Sequence, residues 1–598
     1  MSPRHRVSAA LLALTCGALA ACSSPPQPPP AAQLPANTVN SPDKVPIIVN
    51  AVEPERALLP ADIGDDYGTR IGSLIYRGLV RYDAKGRLVN EVAEEIATVN
   101  STFYRVKIRK GWVFGNGEPV TAESFVDAWN FAADPANKQL HADAFSSIAG
   151  YRALRGLNEP APPASDGEGK ESPTPSTSTT KPSVNPTRNT QRSSASASPS
   201  TSPTPAGPLG DPAGPPAGAL VGLAVVDELE FTIRLAAPDS TFTDRLAQLP
   251  FSPLPSAALK DPAAFATAPV GNGPYQLSGG WLAGKEVRLI PNASYSGGEP
   301  ARNGGLTFRF FPDPSGTYPA LTNGRLDVLD SMPVTALDRY KADLGFRSSN
   351  QAVGVTTSLV FPVARPEWAG DEGRYTRQAI SRAIDRKALA EGIYAGTRAP
   401  ANDLASPVVA GYSNDLCGDD CRHDPHSART ELNRVPQPMR SLEIAYGADS
   451  GGRPVVEALC SAITSAVGIT CTPHPVPRQA ALERSAALHQ ITIPMLITRR
   501  MTHPDLSGFL SPRFMAGSNE NLSGYTGATA QTLLAKAAAT TDIEQRIKVY
   551  QEAEKAILHD MPEIPLWYVN ATVGRSERVQ PVKIDVFGLP IYTEMSRP

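Results

Sequence analysis

The chain has 598 residues, 41% of them hydrophobic, and a formal charge of −3 at pH 7. That is apolar content enough for two or three domains with substantial cores. So small a net charge gives no global attraction to polyanions, and no nucleic-acid partner is expected.

Arg4 and Arg6 open the chain, an uncharged and mostly apolar run follows from Val7 to Ala21, and Cys22 closes it. This layout predicts a cleaved signal peptide over 1–21. The run falls short of the roughly 20 apolar residues of a comfortable bilayer span. Leu19-Ala20-Ala21-Cys22 resembles the bacterial lipobox, which implies lipid on Cys22 and a mature protein held on the extracytoplasmic face of the cell membrane. Two or three acyl chains hold firmly where one does not. Residues 22–44, rich in Pro, Ser and Ala at first, read as a flexible tether.

Further along, 103–109 alternates apolar and polar residues as a half-buried strand does, and 229–235 repeats the pattern. Thr121 can cap a helix that places Phe125, Trp129 and Ala132 on one face. The tract 158–218 is Pro, Ser, Thr, Ala and Gly with almost no large apolar side chains. Burial there cannot offset the entropy of ordering, so a disordered insertion is predicted. Ile380, Ala383 and Ile384 share a helical face, and Thr541 with Glu544 reads as a capping box.

Once export is accepted, Cys16 leaves with the signal peptide and Cys22 takes lipid. Four cysteines then remain in an oxidising compartment, and the shortest loops pair Cys417 with Cys421 and Cys460 with Cys471. The rival is zinc on Cys417, Cys421, His423 and His426, residue types that zinc does use. Their spacing is tighter than the usual separated ligand pairs, so no metal is expected.

The stretch Gly72-Ser73-Leu74-Ile75-Tyr76-Arg77-Gly78-Leu79-Val80-Arg81-Tyr82-Asp83 resembles the opening helix and turn of family 5 extracytoplasmic solute-binding proteins, which serve ABC importers of oligopeptides, dipeptides and nickel. Lys110-Gly111-Trp112-Val113-Phe114-Gly115-Asn116-Gly117-Glu118-Pro119-Val120-Thr121 is similar to the family's most recognisable segment. Gly271-Asn272-Gly273-Pro274-Tyr275, Gly324-Arg325-Leu326-Asp327, the run 377–386 and Asp560-Met561-Pro562-Glu563-Ile564-Pro565-Leu566-Trp567-Tyr568 follow in the family's order. Chemically, the two glycine-rich stretches are turns. No GK[ST] follows to make either a phosphate cradle. Arg377, Arg382, Asp385 and Arg386 read as a solvated helix face or ion pairs.

The resemblance implies an α/β fold with two periplasmic-binding-protein-like lobes of type II, joined by a hinge, and an extra domain on the first. Lobe I would combine 45–83, 220–353 and 566–598. The extra domain would be 84–219, and lobe II 354–565. The family places ligand-facing strand residues after the hinge, which nominates Thr356 and Ser358. Its peptide-binding members carry Trp-x-Ala-Asp, whose aspartate pairs with the peptide α-amino group. Here Arg499 and Thr502 fall at the Trp and Asp positions, leaving Asp505 as the nearest replacement acid. Arg499 and Arg500 invite a carboxylate or phosphate instead.

Binding without catalysis or cofactor is therefore expected: a monomeric receptor for a peptide or other small solute, working with ABC permease subunits. A lipoprotein of the same fold that regulates cell-envelope assembly is the second reading. A secreted hydrolase is the third, resting on Ala448-Asp449-Ser450-Gly451-Gly452, a string with no His-bearing segment to complete a triad. Cys22→Ala is expected to move the protein from the membrane pellet to the soluble fraction. A variant still sedimenting with membranes would refute the lipid anchor.

Overall fold

The computed structural model describes residues 45–157 and 219–597. The segment 1–21, Cys22, the tether up to residue 44 and the tract 158–218 all lie outside the described residues. Among those described, no helix is long and apolar enough to cross a membrane.

One eleven-stranded sheet organises the molecule. Across it run Thr470–Val476, Ser441–Gly447, Met495–Arg500, Ser348–Val360, Glu563–Arg575, Val328–Leu329, Ile47–Ala51, Leu306–Phe310, Glu286–Pro291 and Tyr275–Leu282, with Arg398–Pro400 paired to Glu563–Arg575 off that path. Alternation along Ile47–Ala51 sorts its side chains between two cores. Ile47, Val49 and Ala51 join a first core with Leu306 and Phe308, whereas Ile48 packs on a second. That second core gathers Leu321, Leu329 and Leu344 on its near side and extends through Leu359, Leu459, Phe509 and Trp567.

Ser348–Val360 and Glu563–Arg575 have thirteen residues each, about 43 Å at the usual rise. They are long enough to belong to both lobes. Val353, Val355, Ala571 and Val573 sit in the first core, and Leu359, Ile564, Leu566 and Trp567 in the second. Their mutual ladder breaks between Ala352↔Asn570 and Thr356↔Tyr568. In the gap, Gly354 N–H donates to the Val586 carbonyl and its own carbonyl accepts from Met501 N, both at 2.8 Å. The two lobes of this α/β fold therefore meet at a stretch of strand whose hydrogen bonds go elsewhere.

A separate four-stranded antiparallel sheet holds Ala93–Val99, Phe103–Ile108, Glu230–Arg234 and Leu223–Asp227. Helix Ala122–Ala133, capped reciprocally by Thr121 and Ser124, packs Phe125 and Trp129 against Phe231, with Phe145 and Phe251 beside Trp129. Trp129 Nε1 donates to the Phe251 carbonyl at 3.1 Å. Both ends of the described chain around 158–218 are fastened here. Gly222 N donates to Ala149 O at 2.9 Å, Ala149 N to Arg234 O at 2.9 Å, and Leu220 N to Asn130 Oδ1 at 2.9 Å.

Two local expectations are corrected. Helix Ile543–Asp560 is capped by Asp542, which accepts from Gln545 N at 2.8 Å. The cap therefore falls one residue after Thr541, because a carboxylate at that position reaches the amide directly. Arg377 and Arg386 are not solvated but buried. Arg377 donates to the carbonyls of Met561, Asp560 and Trp368, and Arg386 to those of Pro565, Ser381 and Cys421. Burial pulls both guanidiniums down to about 10, in Arg377 against the opposing influence of Asp560. Arg382 does form ion pairs, with Asp420 and Glu431.

Cys417 is bonded to Cys421 and Cys460 to Cys471, with Cα separations of 5.5 and 4.7 Å. These bonds leave no thiolate for zinc, and His423 faces Asp385 at 3.5 Å.

The Gly271-Asn272-Gly273 turn is a clamp on the first helix. Buried Asn272 accepts from Arg77 N and donates to Arg77 O, both at 2.9 Å. A Cβ at Gly271 would lie 2.1 Å from the Ile75 carbonyl oxygen. Gly271→Ala is thus expected to destabilise the fold by about 1–3 kcal/mol, the usual cost of overpacking. It should lower the urea midpoint at unchanged slope. A wild-type midpoint would show that the backbone there can yield.

Candidate functional site: the cleft between the lobes

From the first lobe, the cleft is walled by the segment after strand Ile47–Ala51 and by the start of helix Asp66–Ile75. Asp65 caps that helix by accepting from Gly68 N at 2.7 Å, and its second oxygen accepts from Glu55 N at 3.1 Å. The cap therefore fixes where Glu55 stands. Glu53 accepts from Trp281 Nε1 and Gly284 N, both at 3.0 Å.

Beneath this wall is a buried polar network. Asp330 accepts from Asn50 Nδ2 at 2.9 Å and from the hydroxyls of Tyr67 and Tyr592 at 3.3 Å, and is ion-paired to Arg70. Arg70 also holds Asp66. Burial would raise the Asp66 carboxyl, but Arg70 and Arg500 overcome it and keep the group well below the usual carboxylate range.

The opposite wall belongs to the second lobe: the end of strand Met495–Arg500, the turn after it and helix Gln479–Ala487. Arg500 reaches across to Asp66 at 3.1 Å. Arg484 and Arg478 meet Glu55, the latter at 3.5 Å. A neutral contact closes another part of the cleft, where Ser240 N donates to the Ala538 carbonyl at 2.9 Å and Ser240 Oγ lies 2.9 Å from the carbonyls of Ala538 and Thr540.

The nominated residues sit as follows. Thr356 pairs in register with Arg499 on one side and Tyr568 on the other. It is buried, and its Oγ1 has no hydrogen-bond partner among the described residues. Ser358 is also buried and accepts from Arg513 Nη2 at 3.3 Å, beside the buried Arg513–Glu563 ion pair. Arg499 donates to Glu483 at 2.9 Å. Burial lowers its guanidinium, but Glu483, Glu520 and Glu563 raise it further still. Thr502 Oγ1 lies 3.2 Å from Gly508 O and 3.1 Å from His503 Nδ1.

Asp505 is engaged within its own turn, accepting from Ser507 Oγ at 2.5 Å and Gly508 N at 3.2 Å and facing His503 Nε2 at 3.2 Å. Burial would lift its carboxyl, but His503 and Ser507 hold it well below its ordinary value. Ser507, His503 and Asp505 do not form a hydrolytic triad. Serine and aspartate crowd the same ring nitrogen, whereas the relay needs them on opposite nitrogens. Ser450 Oγ donates to Gly447 O at 2.7 Å and Asp449 accepts from Gln479 N at 2.8 Å, so that string is a turn. Sequence reasoning missed Glu55, Asp66, Arg478 and Arg484. It named Arg499 as the candidate, to which the structure adds Arg500 as the arginine that meets Asp66 across the cleft; the alternation of a strand names two faces without saying which is which.

A model of the bacterial extracellular solute-binding proteins, family 5 middle region, matches residues 87–521. A putative ABC transporter peptide-binding protein of Brucella ovis is 24% identical over 378 residues, 59% of this chain and 68% of the relative. A probable D,D-dipeptide-binding periplasmic protein of Escherichia coli is 24% identical over 369 residues, 59% of this chain and 69% of that one. The structure of the Escherichia coli murein tripeptide binding protein superposes with a TM-score of 0.74 at 17% identity, covering 92% of this chain and 98% of the other. The fold is the two-lobe type II substrate-binding fold.

Behind the second wall lie two buried acids. Asp403 Oδ1 accepts from Leu416 N at 2.7 Å, and Glu554 Oε1 from Leu404 N at 2.8 Å and Ala405 N at 3.1 Å. Their other oxygens have no partner among the described residues. Burial, with the neighbouring Glu554, pushes Asp403 up to about 8, and burial pushes Glu554 up to about 7. Unfolded carboxyls titrate near pH 4, so the folded chain binds more protons in between. Their stability contribution is therefore full below about pH 4 and lost as pH rises through 7 to 8. Asp403→Asn with Glu554→Gln is expected to flatten the fall of Tm between about pH 5 and 8. An unchanged slope would mean that other groups cause it.

Proposed function

Because this chain belongs to family 5 of the bacterial extracellular solute-binding proteins, binding proteins rather than enzymes, we propose that it receives a peptide or related solute and delivers it to an ABC importer. The observation that carries this reading is the broken ladder around Gly354: charged walls on either side are joined by strands that can flex there. Ligand touching both walls favours the closed arrangement, and permease subunits could then tell loaded from empty receptor. An extended peptide would gain affinity from backbone hydrogen bonds with little side-chain selectivity. We take the protein to act as a monomer, anchored through lipid on Cys22 as the lipobox resemblance implies.

The cleft chemistry favours a particular ligand. The family's aspartate position is Thr502, which is satisfied within its own turn, and Asp505 is paired with His503. Neither is a free acid for an α-amino group, so N-blocked peptides or solutes without a free amine should bind at least as well as free peptides. The same two residues also support the second reading, a lipoprotein of this fold regulating envelope assembly.

Calorimetry with matched free and N-acetylated tripeptides, alongside native mass spectrometry of protein purified from its own membranes, tests the choice. Acetylated peptide is expected to bind with an affinity equal to or above that of the free one. Strong preference for the free amine would overturn the ligand assignment. No binding and no co-purified solute would favour the regulatory reading.

A further inference from the structure

Glu55 and Asp66 lie within twelve positions of each other on the first lobe, and both meet arginines of the second. Glu55 pairs with Arg484 and Arg478, its side chain only 11% exposed. Among the described residues it has no ion pair within its own lobe. Asp66 pairs with Arg500 at 3.1 Å and is braced from behind by Arg70 and Asp330. The Glu55 backbone is likewise fixed by the Asp65 cap. Acidic groups thus stand preset on one wall, opposite arginines on the other.

We propose that the lobes are held shut by their own charges, Glu55 against Arg478 and Arg484 and Asp66 against Arg500, so that the closed arrangement is populated without solute. This rests on the two-lobe receptor reading but not on any ligand. A single exposed ion pair shifts an equilibrium only a few-fold, but several partly desolvated pairs acting on one motion multiply to about tenfold or more. Preset carboxylates add to this, because closing orders only the arginine side chains. Opening also separates the Ser240 contacts with Ala538 and Thr540, which salt does not screen. The charged part of the latch should therefore be the salt-sensitive part. A solute then binds an already closed form, and its apparent affinity loses little to conformational cost.

The test measures lobe separation in full-length lipoprotein in detergent, unfolded and refolded, and shown by native mass spectrometry to carry no solute. Nitroxides on Val99→Cys and Leu488→Cys, both exposed, report the distance by pulsed electron resonance. At about 10 mM salt the labelled protein should give one dominant distance. Adding Glu55→Gln with Asp66→Asn, or about 0.5 M salt, should add a second population at least tenfold larger than before. The exchange Glu55→Arg with Arg484→Glu should restore the first distance. An unsubstituted latch already as open as the Glu55→Gln, Asp66→Asn protein, or a latch variant unchanged by the substitutions, would overturn the proposal. Calorimetry with free and acetylated tripeptides on the same samples separates the two claims. Peptide binding by an open unliganded protein sinks the latch alone, and closed lobes with no peptide binding support the latch while counting against the receptor.

Discussion

Everything in this molecule hangs on the pairing of Ser348–Val360 with Glu563–Arg575. At about 43 Å, the two strands carry fully buried residues into both cores at once. A ladder unbroken over that length would make the lobes one rigid slab, because each backbone bond lost would leave buried groups unpaired. Diverting the hydrogen bonds of Gly354 to Val586 and Met501 keeps those groups satisfied while freeing the strands from each other at one point. Stiffness and flexure are thereby obtained from the same two strands.

Electrostatics then decides how the free joint is used. Within each lobe, charges are neutralised at short range: Arg70 by Asp330, Arg513 by Glu563, Arg499 by Glu483. Such buried pairs cost much to desolvate and add little net stability, but they set side-chain positions. Arg70 holds Asp66 where Arg500 can find it. The interior networks thus act as positioning devices for the groups that meet across the cleft.

The scaffold was legible in the sequence wherever a local pattern determines it. Thr121 capping its helix, the alternation of 103–108 and the turn at Gly271 are interactions over a few residues, and short-range chemistry reads them. Arg377 and Arg386 were misread because an arginine in a helix says nothing of the carbonyls of Met561 or Pro565 that will surround it. The cleft was the least legible part. Glu55 and Arg484 are 429 positions apart, and no periodicity connects them. Thr356 and Ser358 came from resemblance, and the structure sets them under the wall, beside Arg499 and Arg513.

The fastening of 149 to 222 has a consequence for how this chain can vary. With Gly222 N bonded to Ala149 O, and Ala149 N to Arg234 O, the backbone leaves and re-enters the small sheet at nearly one point. The small sheet is therefore closed at this point by bonds among the described residues themselves. That place is where a lineage, or an engineer attaching a reporter domain, can add material without renegotiating either lobe.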